Sequence, residues 1–273
     1  MTINKILVSI AAALVLAGCA TNPVTGRKQF IMVSESEAIA ASKQAYVAEL
    51  APLAKQGKID NDPAMTKRVH EITSRLIAQA IKYRPETAKW DWSVKVIDDP
   101  KTVNAFCMAG GKMAIYSGLI TKLNATDDEI ANVMGHEIGH ALSNHTAEKM
   151  SVAMASQLGA AVLGAAAGSR YGGAASSGAA LAATLAVQLP NSRTAESEAD
   201  RIGIELAARA GYDPYAAISL WEKMAKAGGS TSPEFLSTHP APTTRIQELQ
   251  ALVPRMMPYY QDKSPRPVYP LRS

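Results

Sequence analysis

The sequence predicts an α+β fold that is mainly helical, with a small antiparallel sheet next to a long helix that carries two histidines. Aromatic residues make up 5% of the 273-residue chain and alanine is abundant, a balance that favours helix over sheet. Short alternating segments around Gly110-Gly111 are typical of a small sheet. The string His136-Glu137-Ile138-Gly139-His140 lies within an apolar pattern of helical period. The length of 273 residues is consistent with one large domain or two small ones, and a hydrophobic content of 47% is ample for a core.

The pattern of residues 1–18 predicts a secretory signal peptide that is not part of the folded domain. Their only charged side chain is Lys5, the stretch Ile6–Leu16 is apolar except for Ser9, and small residues precede Cys19. The pattern resembles a bacterial lipobox, which implies cleavage before Cys19 and lipidation of that residue. Because Ala20 follows, the resemblance implies an outer-membrane anchor facing the periplasm rather than an inner-membrane one. An ordinary signal peptide or an uncleaved anchor stays open, although the apolar run is short for a membrane span of about 20 residues.

Charge and cysteine content exclude some classes of function. The net charge of +4 is not concentrated in a run of Lys and Arg, so nucleic acid is not expected as a partner. Without the leader, Cys107 is the only cysteine free of lipid, and no intrachain disulfide is expected. We interpret Cys107 as a structural thiol, with a regulatory or intermolecular role as the alternative. An oligomer is possible but not indicated.

The chain after Cys19 is expected to begin as a lipidated tether over residues 19–33 that docks onto the domain. Ser34-Glu35-Ser36-Glu37 is typical of a helix start and predicts a helix to Leu50. Asp62-Pro63 predicts a second helix to about Ile81, since proline suits the first helical position. His70 on this helix is interpreted as a surface or core histidine.

A small sheet is expected next. Residues 90–98 and 103–108 have strand patterns, Gly110-Gly111 is a hairpin signal, and residues 112–116 form the return strand. A helical segment over residues 119–123 should follow. A sheet edge beside a metal site can bind an extended peptide through main-chain hydrogen bonds. Alternatively, the sheet only supports the neighbouring helix.

The helix after this sheet predicts a metal site. Thr126 and Glu129 form a capping-box pattern, and the histidine string lies well inside the helix that it begins. His136 and His140 are four residues apart, hence on one face, and two neutral imidazoles suit zinc. Glu137 is rotated away by about 100° and is placed to act as general base towards a water. The alternatives are a chance string or two core histidines.

Residues 151–189 contain much alanine and glycine, with Arg170 as their only charge. We interpret them as a flexible lid or a tightly packed helical hairpin over the active site. Membrane insertion is the less favoured alternative, because alanine and glycine gain little free energy on transfer into lipid.

A third ligand is needed, because catalytic zinc usually has three protein ligands. Glu196 and Asp200 lie four residues apart near the start of a helix that runs from Arg193 to about Ala210. Their spacing places both on one helical face and favours Glu196 as the third metal ligand, with Asp200 as the hydrogen-bond acceptor that orients a ligand histidine. Glu198 should face solvent. His145, five residues after His140, should lie on a different helical face and is a poor candidate.

His136-Glu-Ile-Gly-His140 followed by Glu196-Ser-Glu-Ala-Asp200 resembles the M48 metallopeptidases. The resemblance extends to Asn104-Ala-Phe, Gly110-Gly111 and Thr238-His239-Pro240. It implies one Zn²⁺ per chain, a gluzincin-type fold, endoproteolysis and a peptide-binding edge near residues 110–116. The substrate-binding candidates are therefore Gly110, Gly111, Lys112, Met113 and Ala114.

Two further residues gain a role from this resemblance. His239 could stabilise the oxyanion, or take the open coordination position and hold the enzyme inactive. Arg245 could assist the oxyanion or brace the loop. The peptidase domain is expected over residues 34–253, with an extended proline-rich tail over residues 254–273. Unlike some members of that family, the chain is expected to have neither a C-terminal repeat domain nor several membrane spans.

The expected function is a zinc endopeptidase of the bacterial cell envelope, with unfolded or misassembled envelope proteins as substrates and the lipidated Cys19 as its contact with the membrane. One alternative is a chaperone-like binding lipoprotein with a structural or latent zinc site. The other is a zinc hydrolase that acts on cell-wall peptides.

Overall fold

The computed structural model describes residues 19–166, 191–227, 234–239 and 244–271. The signal peptide expected at residues 1–18 lies outside these ranges, as do residues 167–190 of the alanine- and glycine-rich stretch. The described part is a mainly helical α+β fold with two small sheets, which confirms the predicted fold class.

The residues after Cys19 form a hairpin that packs on the domain. Strands β1 (Cys19–Thr21) and β2 (Lys28–Phe30) pair antiparallel. The amides of Asn22 and Gln29 both donate to the backbone oxygen of Ser143, over 3.2 and 2.9 Å. The expected tether is therefore folded from its first residues.

Two long helices follow. Helix α1 (Glu35–Lys55) begins where the sequence predicted a helix start, and Ser34 and Glu37 form a capping box there. Helix α2 (Pro63–Tyr83) begins at Asp62, whose carboxylate accepts from two backbone N–H groups, and it places Pro63 at the first helical position. A short 3₁₀ helix, Pro85–Lys89, leads into the sheet.

The main sheet has three strands in the order β3-β5-β4, formed by β3 (Ser93–Ile97), β4 (Ala105–Met108) and β5 (Lys112–Tyr116). Strands β4 and β5 pair antiparallel across a turn in which Gly110 and Gly111 have φ of 81° and 78°, so a side chain there would be strained. Strand β3 pairs with β5 in parallel. The prediction of an antiparallel sheet was therefore wrong for one of its two pairings. The reason is that β4 lies between β3 and β5 in sequence. Strand β4 reverses the direction of the chain, and β5 reverses it again and pairs beside β3 in the direction of β3.

The remaining elements are helical. They are α3 (Ser117–Lys122), α4 (Asp127–Leu142), α5 (His145–Ala166), α6 (Arg193–Ala210), α7 (Ala216–Ala227), α8 (Glu234–Thr238) and α9 (Arg245–Gln261). Helix α4 is the centre of the fold, since every residue from Glu129 to Leu142 is buried. It packs against α2, α6, α7 and strand β4.

The prediction of an extended tail from residue 254 is wrong for the first part of that tail. Helix α9 continues through Pro254 and Pro258 to Gln261. Both prolines face solvent, whereas Val253 and Met256 are buried. Burial of the apolar face therefore outweighs the hydrogen bonds that proline removes. None of the described helices is both long and apolar enough to cross a membrane.

Candidate metal centre

Helices α4 and α6 meet through glycine, which brings their polar side chains together. A Cβ atom on Gly203 would lie 2.5 Å from the backbone nitrogen of His136, and one on Gly135 would lie 2.7 Å from the oxygen of Gly203. Real Cβ atoms do not come this close to backbone, so only glycine permits the contact. The close approach lets side chains of both helices point at one place.

Four buried side chains converge there: His136, His140, Glu196 and His239. Nε2 of His140 lies 3.1 Å from Nε2 of His136 and 3.2 Å from Oε1 of Glu196. Nδ1 of His239 lies 3.2 Å from Nε2 of His136 and 3.0 Å from Oε1 of Glu196. Metal–donor distances of about 2.0–2.1 Å in a tetrahedron place donor atoms about 3.3–3.4 Å apart. The observed spacing and the three-imidazole, one-carboxylate donor set therefore fit zinc.

His239 is held in this cluster by the short helix α8. Its ring stacks on Phe235 at 4.3 Å between centroids, and its backbone N–H donates to the Phe235 carbonyl. The sequence left His239 either as an oxyanion stabiliser or as a ligand at the open position. The geometry places its Nδ1 as a fourth donor, which favours the second of these roles.

Asp200 and Arg245 hold the donors in place. Nδ1 of His136 lies 2.9 Å from Oδ1 of Asp200, the orienting contact that the spacing predicted. The Arg245 guanidinium donates to Glu196 over 2.7 Å and to Asp200 over 2.6 Å, and it stacks on Trp221. At 2% exposure Arg245 braces the two carboxylates. This contact favours bracing over the oxyanion role.

The electrostatics of the cluster suit a cation. Burial lowers the pKa of His136, but hydrogen bonds with Asp200 and Glu196 outweigh it and raise that pKa to about 9. Burial keeps the pKa of His140 well below its ordinary value, so this ring is neutral and able to bind a metal. Burial would raise the pKa of Glu196, yet the neighbouring His239 and hydrogen bonds with the histidines hold it well below the usual range. The Glu196 carboxylate thus favours positive charge on the Nε2 side of His136, and Asp200 favours it on the Nδ1 side.

Glu137 lies beside the cluster and is 3% exposed. Burial raises the pKa of its carboxyl group, and the backbone N–H of Cys107 opposes this rise only in part. Its Oε1 is 3.4 Å from Nε2 of His239 and has no hydrogen-bond partner among the described residues. An O–H or N–H donor would be stabilised at this oxygen. The position therefore suits a proton acceptor.

The five predicted substrate-binding residues do not form an open edge. Strand β5 is the middle strand, so its backbone pairs on both sides. Met113 and Ala114 are fully buried, and Lys112 forms an ion pair with Asp91 at 2.8 Å. Side chains at Gly110 and Gly111 would collide with Ile39 and Trp92, respectively. The strand that lies against α4 is β4 instead.

Sequence reasoning missed the role of His145. Its Nδ1 lies 2.8 Å from Nδ1 of His140, and its Nε2 lies 3.0 Å from Oε2 of Glu198. Helix α4 ends at Leu142, and Asn144 adopts a left-handed φ of 55°, so α5 starts in a new direction. The prediction for His145 assumed one continuous helix from His140, and the break between α4 and α5 makes that assumption invalid. The expectation that Glu198 faces solvent was wrong because Thr25 and Arg27 of the N-terminal hairpin, together with His145, contact its carboxylate.

Lys149 and Asn191 also border the site. They line a cavity together with Glu137, His140 and His239. Nζ of Lys149 donates to Oδ1 of Asn191 over 3.0 Å, and burial lowers the pKa of the lysine to about 8. No local sequence signal pointed to either residue.

His70 is half-buried on α2 and is not part of the four-donor cluster, in agreement with its interpretation as a surface or core histidine.

The sequence of this chain is similar to those of known proteins. The sequence model of a family described as Peptidase family M48 matches residues 63–253. The mitochondrial metalloendopeptidase OMA1 of Saccharomyces cerevisiae is 31% identical over 251 residues, which cover 88% of this chain and 70% of that protein. The human mitochondrial metalloendopeptidase OMA1 is 31% identical over 86% of this chain and 46% of its own length. The beta-barrel assembly-enhancing protease of Escherichia coli K12 is 32% identical over 72% of this chain and 41% of its own. The chain thus spans less than half of the human and E. coli proteins.

Proposed function

Because the chain belongs to the metalloendopeptidases of peptidase family M48, we propose that it uses one zinc ion to hydrolyse peptide bonds in unfolded or misassembled proteins of the bacterial envelope. The observation that carries the proposal is the convergence of four buried donors, all within 4.8 Å of one another, next to the carboxylate of Glu137. His136, His140 and Glu196 would hold the zinc ion throughout the reaction, and His239 would be a fourth ligand in the resting state.

Zinc bound at this place supplies a Lewis acid that polarises the scissile carbonyl and makes a water more acidic. Glu137 accepts the proton of the attacking water at its Oε1 and returns it to the leaving amine. The raised pKa of Glu137 brings the carboxyl group closer to the acidity that such a proton shuttle needs. Asp200 and Arg245 fix the orientation of His136 and Glu196 while this happens.

The position of His239 supports a resting form that must open before catalysis. A structural zinc site is closed by protein ligands, whereas a catalytic site keeps one position for water or substrate. Withdrawal of His239 would provide this position, at the cost of its stacking on Phe235 and its contact with Asn191. In this proposal the described geometry is the inactive form of the enzyme.

A substrate strand can be placed along β4. The carbonyl of Asn104 accepts from the N–H of Tyr116 on β5, and strand alternation then turns the backbone groups of Ala105 and Cys107 away from β5. Cys107 lines the same cavity as Glu137, His140 and His239. An extended peptide that pairs with this edge would therefore lie beside Glu137 and the metal donors.

The envelope location rests on the leader pattern and on Cys19. A lipid on Cys19 would place the first residue of β1 at the membrane, with the hairpin already packed on the peptidase domain. The E. coli relative bears a name that refers to β-barrel assembly, which agrees with an envelope role. We propose an outer-membrane lipoprotein that faces the periplasm.

Metal analysis and cleavage of an unfolded protein such as casein test the proposal. The full mature chain, purified in detergent, should contain one zinc ion and cleave casein. Glu137→Gln should keep the zinc and lose cleavage by at least about 100-fold, because the shuttle is removed and the ligands are not. Full proteolysis by this variant would remove Glu137 from its role.

One rival has specific support, namely a binding lipoprotein with a permanently closed zinc site. The fourth donor from His239 favours it. His239→Ala separates the two, because opening the site should preserve or increase proteolysis if His239 is a resting ligand. A chain that binds unfolded protein, retains zinc and cleaves nothing with or without His239 would favour the rival.

A further inference from the structure

The two metal-binding histidines of α4 have different partners behind them. His136 contacts the carboxylate of Asp200 through Nδ1. His140 contacts a second imidazole instead, since its Nδ1 lies 2.8 Å from Nδ1 of His145. The opposite nitrogen of His145, Nε2, lies 3.0 Å from Oε2 of Glu198. His145 is 2% exposed, so solvent does not replace these contacts.

The hydrogen atoms in the series of contacts from His140 through His145 to Glu198 can be assigned from the two ends of the series. Nε2 of His140 points into the donor cluster, which leaves Nδ1 to carry its N–H. Carboxylates only accept hydrogen bonds, so Nε2 of His145 donates to Glu198 and Nδ1 of His145 is left as the acceptor. His140 therefore donates to His145, and His145 donates to Glu198. Each contact fixes one tautomer and one ring orientation.

The N-terminal hairpin completes the chain of contacts. Nε of Arg27 donates to Oε2 of Glu198 over 3.0 Å, and Thr25 donates its hydroxyl to Oε1 of the same carboxylate. The other two nitrogens of Arg27 bind both oxygens of Glu148 on α5, over 2.8 and 2.7 Å. This two-point contact orients the guanidinium plane. Glu198 is thus held between the hairpin and His145.

We propose that His145 and Glu198, braced by Arg27, are positioning residues that orient His140 for metal binding and link the N-terminal hairpin to the metal centre. This inference rests on the proposed function, in that a metal ion occupies the four-donor cluster. Partners behind a metal-binding histidine set its ring orientation and basicity, and their loss typically weakens metal binding by about 10- to 100-fold.

Two variants remove successive contacts. His145→Phe keeps an aromatic ring of similar size but offers no acceptor to Nδ1 of His140, so zinc affinity should fall by about 10- to 100-fold. Glu198→Gln keeps a neutral oxygen that can accept from His145 but loses the charge that binds Arg27, so the loss should be smaller, about tenfold. Glu205→Gln is the matched control, because Glu205 is also on α6 and pairs with Arg209, away from the donors.

The test uses the full mature chain in detergent. Zinc affinity is measured by competition with a coloured chelator, and the ligand field by the visible spectrum of the cobalt-substituted chain. We expect weaker zinc binding and an altered cobalt spectrum for His145→Phe and Glu198→Gln, with both readouts unchanged for Glu205→Gln. Thermal unfolding of the metal-free chains shows which variants fold, and if His145→Phe does not fold, Glu198→Gln decides.

Two negative outcomes differ in meaning. Zinc affinities within twofold of wild type and an unchanged cobalt spectrum in both variants overturn the positioning role alone. A wild-type chain that binds no zinc overturns the proposed function, and the positioning role with it. A loss of zinc affinity in Glu205→Gln equal to that in Glu198→Gln would also overturn it, because any charge removed from α6 would then have the same effect.

Discussion

The substitution Gly203→Ala tests whether the crossing of α4 and α6 sets the metal centre. Helix propensity alone predicts stabilisation by about 1 kcal/mol, since alanine is favoured over glycine inside a helix. The structure predicts the opposite sign. The new Cβ atom would lie 2.5 Å from the nitrogen and 2.7 Å from the Cα of His136.

The magnitude follows from the displacement that the methyl group requires. Unstrained contacts between heavy atoms are about 3.5 Å, so the helices must separate by about 1 Å. Overpacking costs about 1–3 kcal/mol, and rigid backbone on the other side places Gly203→Ala near the upper end. After subtraction of the propensity gain, the free energy of unfolding should fall by about 1–2 kcal/mol. Zinc affinity should fall by at least about tenfold, because metal–ligand distances tolerate only about 0.2 Å.

Urea unfolding of the metal-free chain and chelator competition measure the two effects. Ser197→Ala is the control, because Ser197 is exposed on the same helix and its replacement raises helix propensity without a new contact. A Gly203→Ala chain that is more stable than wild type and binds zinc equally well would refute the reasoning, since the glycine contact would then not limit the approach of the helices.

Three other perturbations have expected outcomes. Arg245→Lys should lower the free energy of unfolding by about 2 kcal/mol in urea, because one ammonium cannot replace a guanidinium that binds Glu196 and Asp200 together; an unchanged midpoint would contradict the bracing role. The pKa of His136 is about 9 in the folded metal-free chain against 6.5 ordinarily, so its contribution to stability is fully present below pH 6.5 and is lost as the pH rises through 9. Zinc displaces this proton, so zinc affinity measured by chelator competition should rise about tenfold per pH unit in that window, and a flat profile would contradict the assignment. Asn144→Ala should lower the free energy of unfolding by about 1–2 kcal/mol because residue 144 has a φ of 55°, and a neutral result in urea unfolding would show that the junction is not strained.

The helical part of the metal centre could be predicted because its signals are local. The capping boxes at Ser34 and Thr126 mark the starts of α1 and α4, and they depend on residues within one turn. The spacing of His136 and His140 places both on one helical face whatever surrounds the helix. The same holds for Glu196 and Asp200.

Sheet order could not be predicted in the same way. The Gly110-Gly111 turn determines that β4 and β5 pair, but no local signal says whether β3 joins the β4 or the β5 side. The structure places β3 beside β5, so the open edge moves from the predicted residues 110–114 to β4. An antiparallel pairing between neighbours is a property of a short turn, whereas a parallel pairing depends on how the layers pack.

The sequence by itself determined the chemistry of this protein: two histidines and a carboxylate on one helix, an acidic pair on another, and the family that these motifs identify. Only the tertiary structure decided that His239 is a fourth donor, that Arg245 bridges two carboxylates, and that His145 stands behind His140. The first set depends on helix periodicity, which acts over four residues. The second depends on contacts across 5 to 109 residues of chain, made possible by a left-handed residue between two helices and a glycine contact between two others. Such contacts arise only when the core packs, and no local propensity encodes them.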